Sequence, residues 1–344
     1  MPRSRNRSAT VSLLAAALLL LGGAFSASGA ETTSEPIAAA AGASTVGPID
    51  HAVGVQHFQF ARGKDRPLPT TVWYPTRGSA RRIKGRVQGD AEPLPGRHPL
   101  IVWSHGFYSN PQMQEGMTKF LAEAGYVVVA AAYPFTKKDT PKFNKYDVPN
   151  QSLDASFVIT QMLRPGNPLA DSIDTDRMAA VGHSGGGTTT DGLFTVHRDP
   201  RLKAGIIFAG RPAGAYQGSP VPLLFIHGDK DPVVAYEQGR TSYGAAPWPK
   251  AFLTIIGGEH GAGTNDPERG HHQAMATLLD FLTWALDGDD TARLRLSGDA
   301  TLDGVTRFES VGIYSTSSTT TTTSTTATTA PATMKPSLEP VAAG

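Results

Sequence analysis

Cysteine is absent from this 344-residue chain. That lack excludes disulfide staples, cysteine nucleophiles, thiolate metal sites and lipid attachment through a cysteine. Neither sign of charge is in excess, since 31 Lys+Arg stand against 30 Asp+Glu for a formal net charge of +1. Such a balance argues against nucleic acid or an anionic membrane surface as a partner. A long hydrophobic run is missing as well. The most apolar stretch, residues 11–21, is well short of the roughly 20 residues that a membrane-spanning helix needs.

That short stretch fits an export leader instead. Arg3, Arg5 and Arg7 precede it and Ser28-Gly29-Ala30 follows, giving a charged start, an apolar middle and a small-residue cleavage site. Residues 1–30 are expected to be a signal peptide, and the protein to be secreted or associated with the cell envelope. No adjacent arginine pair marks a twin-arginine leader. Cleavage after Ala30 removes three arginines and no acid, so 28 basic residues face 30 acidic ones for a formal −2. Residues 31–48, rich in alanine, serine and threonine, read as a flexible leader. Residues 313–344, with a nearly unbroken serine and threonine run at 315–329 and prolines at Pro331, Pro336 and Pro340, bury too little apolar surface to order and read as a disordered tail.

Between them, residues 49–312 read as one domain, expected to be a monomer. Apolar runs at about 57–62, 70–75, 100–104, 126–133, 178–183, 204–209, 222–227 and 251–257 alternate with helical stretches. Alternation of that kind predicts an α/β fold, a mostly parallel eight-stranded sheet with helices on both faces. The first strands, broken by turn residues, need not be parallel. Residues 136–150 form a polar loop too short for a large lid. Leu278, Phe281, Leu282 and Trp284 make a helical stripe of core contacts, and residues 293–310 a small C-terminal appendage.

The chemistry concentrates at Gly182-His183-Ser184-Gly185-Gly186, directly after the apolar Met178-Ala179-Ala180-Val181. A strand running into G-x-S-x-G and then a helix, here placed at 188–197, is a nucleophile elbow. Glycines let the chain turn sharply enough to expose one hydroxyl above a helix N-terminus. Ser184 is the candidate nucleophile. A serine needs a base and a group to orient that base. In folds that use this elbow the acid and the histidine follow in that order, as they do here. Asp231 lies in the loop after the run 222–226, and His260 in the glycine-flanked loop after 251–256.

The rivals are weaker. Asp191, seven residues along the same helix, lies about 10 Å down its axis. Asp229, two residues from Asp231, stays open as the acid, with a loop-bonding role as the alternative. His271 and His272 read as solvated first-turn residues; with Asp266 and Glu268 they lack the spacing of a zinc site. No metal or cofactor is expected. His105, His183 and His227 flank glycines at strand ends and read as structural. The oxyanion hole is assigned to the backbone amides of Gly185 and Phe107, the latter in Ser104-His105-Gly106-Phe107 after the strand at 100–104. Phe107, Tyr108 and Phe135 follow strand ends and are expected to rim an open apolar substrate cleft.

These motifs, together with His227-Gly228-Asp229-Lys230-Asp231 and the loop at 257–260, resemble the α/β-hydrolase superfamily over about residues 55–290. Thr71-Val72-Trp73-Tyr74-Pro75 and the segment 151–163 are similar to bacterial relatives of platelet-activating-factor acetylhydrolase and dienelactone hydrolase. Bacterial cutinases and polyester hydrolases are near neighbours by the oxyanion loop and elbow. One departure is Gly185, where polyester hydrolases often carry a bulkier residue such as methionine; the glycine either widens the acyl site or is without consequence. The resemblance implies a secreted serine carboxylic-ester hydrolase acting on short-chain or polymer-end esters. An acyltransferase with the same triad and a non-catalytic binding protein on this scaffold are the alternatives.

Overall fold

The computed structural model describes residues 50–82 and 84–314. The signal peptide, the leader at 31–48 and all but the first two residues of the tail assigned to 313–344 lie outside the described residues. Ten strands form one sheet: β1 (His51–Ala61), β2 (Pro67–Ser79), β3 (Val87–Gly89), β4 (His98–Ser104), β5 (Val127–Ala131), β6 (Ile173–His183), β7 (Ala204–Phe208), β8 (Leu223–Gly228), β9 (Lys250–Ile255) and β10 (Thr306–Val311). Their order is β10-β9-β8-β7-β6-β4-β5-β2-β1-β3. Strands β4 to β9 run parallel. Antiparallel pairs join β2 to β5, β1 to β2, and β10 to β9.

Ten strands rather than eight is a correction. The additions, β3 and β10, sit at the two edges. Three-residue β3 pairs with β1, and the appendage at 293–310, helical as far as Ala300, ends in β10, an edge strand on β9. Edge strands face the core on few positions, so their pairing comes from a neighbour's free ladder and leaves little periodicity to read.

Among the described residues, six α-helices cover the sheet: α1 (Glu115–Glu123), α2 (Val148–Met162), α3 (Gly185–Gly192), α4 (Tyr236–Ala245), α5 (His271–Asp287) and α6 (Asp290–Ala300). The central strands are apolar throughout because both faces are buried. On β4, Ile101 and Trp103 enter one core with Met117 and Leu121 of α1 and Leu278 and Phe281 of α5. Leu100 and Val102 enter the other with Val158, Ile159 and Met162 of α2. The predicted stripe on α5 is thus core, with Trp284 packed at its margin.

From β4 the chain crosses to β5 on one side and then to β6 on the other. That reversal opens a crevice at the carboxyl ends of β4 and β6, the place where open α/β sheets bind ligands. The segments after β4 and β6 carry Phe107 and Ser184.

Candidate active site

Strand β6 ends on a tight turn. The ladder runs to His183 opposite Phe208, and the Ser184 amide donates one step further to the Phe208 carbonyl at 2.9 Å. Ser184 then takes φ 60° and ψ −122°, and α3 starts at the next residue. A non-glycine residue in this region is strained by roughly 1–3 kcal/mol and persists only where its surroundings enforce it. The glycines around it are enforced by space. A Cβ at Gly182 would overlap the Gly186 carbonyl, and one at Gly186 the Ser104 carbonyl. The helix begins three residues before its predicted start at 188 because the elbow feeds it directly.

The loops after β8 and β9, two and three strands along the sheet from β6, bring the other two groups to Ser184. His260 Nε2 lies 2.8 Å from Ser184 Oγ, and His260 Nδ1 lies 2.7 Å from Asp231 Oδ2. The loops holding them are tied together. Lys230 N donates to Gly258 O at 2.9 Å, and Gly257 N donates to Asp229 Oδ1 at 2.7 Å. Asp229, left open as the acid, therefore bonds the neighbouring loop, while Asp231 contacts His260.

Asp231 is buried and held ionised. Burial alone would raise its pKa, but hydrogen bonds from His260 and from the Val234 and Val233 amides (2.9 and 2.8 Å) outweigh that and hold it below the ordinary carboxylate value. With the carboxylate as acceptor, His260 Nδ1 carries the hydrogen and Nε2 is the free base facing the hydroxyl.

Two histidines read as structural reach this constellation. His227 Nε2 donates to Asp231 Oδ2 at 3.1 Å and to Val234 O at 2.9 Å. His183 Nε2 donates to the His260 carbonyl at 2.7 Å, its ring 4.8 Å from that of His260. Burial pulls the pKa of both down, that of His183 to about 4, so each acts as a neutral donor. Their value to the site was missed because imidazoles beside glycines carry no signal of what they will touch. His105 takes the structural role expected of it. Its Nδ1 donates to Gly106 O at 2.7 Å, its Nε2 accepts from Tyr133 N at 3.0 Å, and burial lowers its pKa to about 4.

Asp191 bonds elsewhere, accepting from Ala213 N at 2.9 Å and Tyr216 Oη at 2.7 Å. His271 Nδ1 donates to Gly263 O at 3.2 Å, and Glu268 accepts from Asn265 at 3.0 Å.

The cleft in front of Ser184 has a volume of about 420 Å³, and Phe107 and Gly185 line it with the serine. Among the described residues no acceptor takes the amide of either. Of the predicted rim, Phe107 alone lines the cleft. Tyr108 is exposed and stacks on Phe143 at 4.3 Å, and Phe135 lies under the Arg66 guanidinium at 5.4 Å. Their places are taken by Tyr146, just before α2, by Val148 at its start and by Val233. A short 3₁₀ turn, Lys145–Asp147, carries Tyr146, and Arg66 fixes that turn through a bidentate bond to Asp147 at 2.8 and 2.9 Å. The loop at 136–150 thus forms one wall of the cleft without covering it.

Of the two readings of Gly185, a wider acyl site is not the one found. A Cβ there would lie 2.5 Å from Phe107 Cε1. The aromatic ring occupies the space a bulkier residue would fill.

A family model described as PET hydrolase-like matches residues 91–291. The chain belongs to the PET hydrolase-like family. It is accordingly a carboxylic ester hydrolase of the α/β-hydrolase superfamily, on the polyester-hydrolase side of the resemblances carried by its motifs. The solved structure of a ferulic acid esterase from Streptomyces cinnamoneus is similar, with TM-score 0.56, 20% identity, and coverage of 70% of this chain and 92% of that one. At that identity the likeness concerns the fold. No curated protein matches. Among the described residues of this PET hydrolase-like chain, no helix is long and apolar enough to cross a membrane.

Proposed function

We propose that the chain is an exported serine esterase that works through an acyl-enzyme. The observation that carries this reading is the unbroken hydrogen-bonded line from Ser184 through His260 to Asp231, with the serine on a strained elbow. His260 Nε2 takes the proton of Ser184 as Oγ attacks the ester carbonyl, and the charge that develops on His260 faces Asp231. The amides of Phe107 and Gly185 receive the oxyanion. The alcohol leaves with the proton returned by His260. Water then attacks the acyl-enzyme with His260 again as base, releasing the acid and free Ser184.

The substrates proposed are short acyl esters and the ends of polyester chains. An open cleft of about 420 Å³ walled by Phe107, Tyr146 and Val148 supports that choice, as does the polyester named in the family's description. Residues 1–30 are proposed as the cleaved leader that exports the domain at 49–312. The test is direct. Ser184→Ala should fold, as judged by circular dichroism and melting, yet lose p-nitrophenyl ester hydrolysis, and a fluorophosphonate should label Ser184 alone. An adduct elsewhere, or undiminished turnover in the variant, would refute the assignment.

A further inference from the structure

The cleft in front of Ser184 carries charge of one sign. Lys145 and Arg211 line it, and no aspartate or glutamate does. Neither cation is used up within the fold. The Arg211 guanidinium donates to the Val233 carbonyl at 3.1 Å, which leaves its remaining donors unassigned. Lys145 Nζ lies 5.2 Å from the centre of the Tyr146 ring, a contact that brings it no counter-charge. The nearby acids are turned away: Asp147 is clamped by Arg66, and Asp231 is buried under four N–H donors.

Hydrolysis of a neutral ester needs none of this charge. The elbow, the base and two amides suffice, and desolvating a cation beside an uncharged substrate costs free energy without return. A positive cleft free of carboxylates instead concentrates and orients anions. An arginine fork matches the two oxygens of a carboxylate, and a lysine supports it as a point charge.

We propose that this cleft selects esters that carry a free carboxylate, namely monoesters of dicarboxylic acids and the acid-terminated ends of polyester chains. Arg211 is the principal recognition group and Lys145 the second. The inference rests on the ester-hydrolase reading above and adds the charge of the substrate. The carboxylate does not react; the acyl C–O bond still breaks through Ser184, and each turnover yields a dicarboxylate and an alcohol.

The full-length protein is assayed on p-nitrophenyl hydrogen adipate and on its neutral methyl-capped analogue, p-nitrophenyl methyl adipate. The ratio of the two kcat/KM values is the readout. It should exceed one and fall at high salt, because exposed charges are screened. Arg211→Gln should lower the ratio by about fivefold, mainly through KM for the acid ester, with a smaller drop for Lys145→Gln. Both side chains are on the surface, so folding should survive. Lys64→Gln, an exposed cation outside the cleft, should leave the ratio alone. A ratio unmoved in the Arg211→Gln, Lys145→Gln double variant, or lowered equally by Lys64→Gln, overturns the proposal. Cleavage of the neutral ester with no preference for charge overturns this inference alone. Failure to cleave either ester removes the ester-hydrolase reading along with it.

Discussion

His227 donates from Nε2 to Asp231 Oδ2 at 3.1 Å, the same oxygen that faces His260 Nδ1 at 2.7 Å. The carboxylate is therefore fixed from behind by a neutral imidazole that burial keeps from ionising. Replacing His227 by Leu removes that donor and leaves the Val234 carbonyl short of a partner. We expect kcat to fall about tenfold and stability by roughly 1–3 kcal/mol, the cost of a buried group left unmatched. Kinetics and urea melts on His227→Leu separate the two effects. Unchanged kcat with lowered stability would make His227 structural only.

The two acids of the same loop should differ sharply. Asp231→Asn presents an amide to His260 and favours the wrong tautomer, for which a loss on the order of 10⁴ in kcat is expected. Asp229→Asn keeps an oxygen able to accept from Gly257 N, so its cost should stay below about tenfold and lie in loop stability. The comparison is a kcat measurement on both variants. Greater damage at Asp229 would move the acid by two positions.

Gly185 and Phe107 should behave as a coupled pair, since a side chain at one meets the ring of the other. Gly185→Ala forces the Phe107 ring away from the elbow, disturbing the oxyanion loop that carries it, and should reduce turnover of small esters. Phe107→Ala should relieve that penalty when the two are combined. A double-mutant cycle on kcat/KM is expected to return a coupling of about 1 kcal/mol, within the range found for residues in contact. Additive effects would mean that the ring yields without consequence.

Acid should weaken the fold before it protonates most carboxylates. Burial depresses the pKa of His105 and His183 to about 4, below the value of about 6.5 in an unfolded chain. As pH falls from about 6.5 towards 4, the unfolded chain binds these protons and the folded one does not. The stability is thus whole above that window and lost through it, at about 1.4 kcal/mol per pH unit for each histidine. Denaturant melts across the window measure the slope, and His183→Phe should remove about one histidine's share of it. A slope equal to that of the parent protein would show that His183 takes up its proton in the folded state.

Much of this molecule is legible along the chain because its information is local. Central strands buried on both faces read as continuous apolar runs, so β4 to β9 declare themselves without any contact being known. The elbow is similar in part: Gly182 meets the Gly186 carbonyl within the same five residues, whereas Gly186 is required by the Ser104 carbonyl at the end of β4. The edge strand β10 was less visible, since Thr306-Arg307-Phe308-Glu309-Ser310-Val311 becomes a strand only when β9 offers it a ladder.

Sequence by itself determined the fold class, the candidate nucleophile and the order in which serine, acid and base follow. It placed Asp231 ahead of Asp229 as the acid but could not exclude Asp229, because both lie on one short loop. Only the tertiary structure decided between them, by tying Asp229 to Gly257 and turning Asp231 toward His260. It likewise brought His183 and His227 to the site, and replaced Tyr108 and Phe135 on the cleft wall with Tyr146, Val148 and Val233. The reason is physical. Elements follow from periodicity within a few residues, whereas a contact between side chains depends on how loops from distant strands are tied at one end of the sheet.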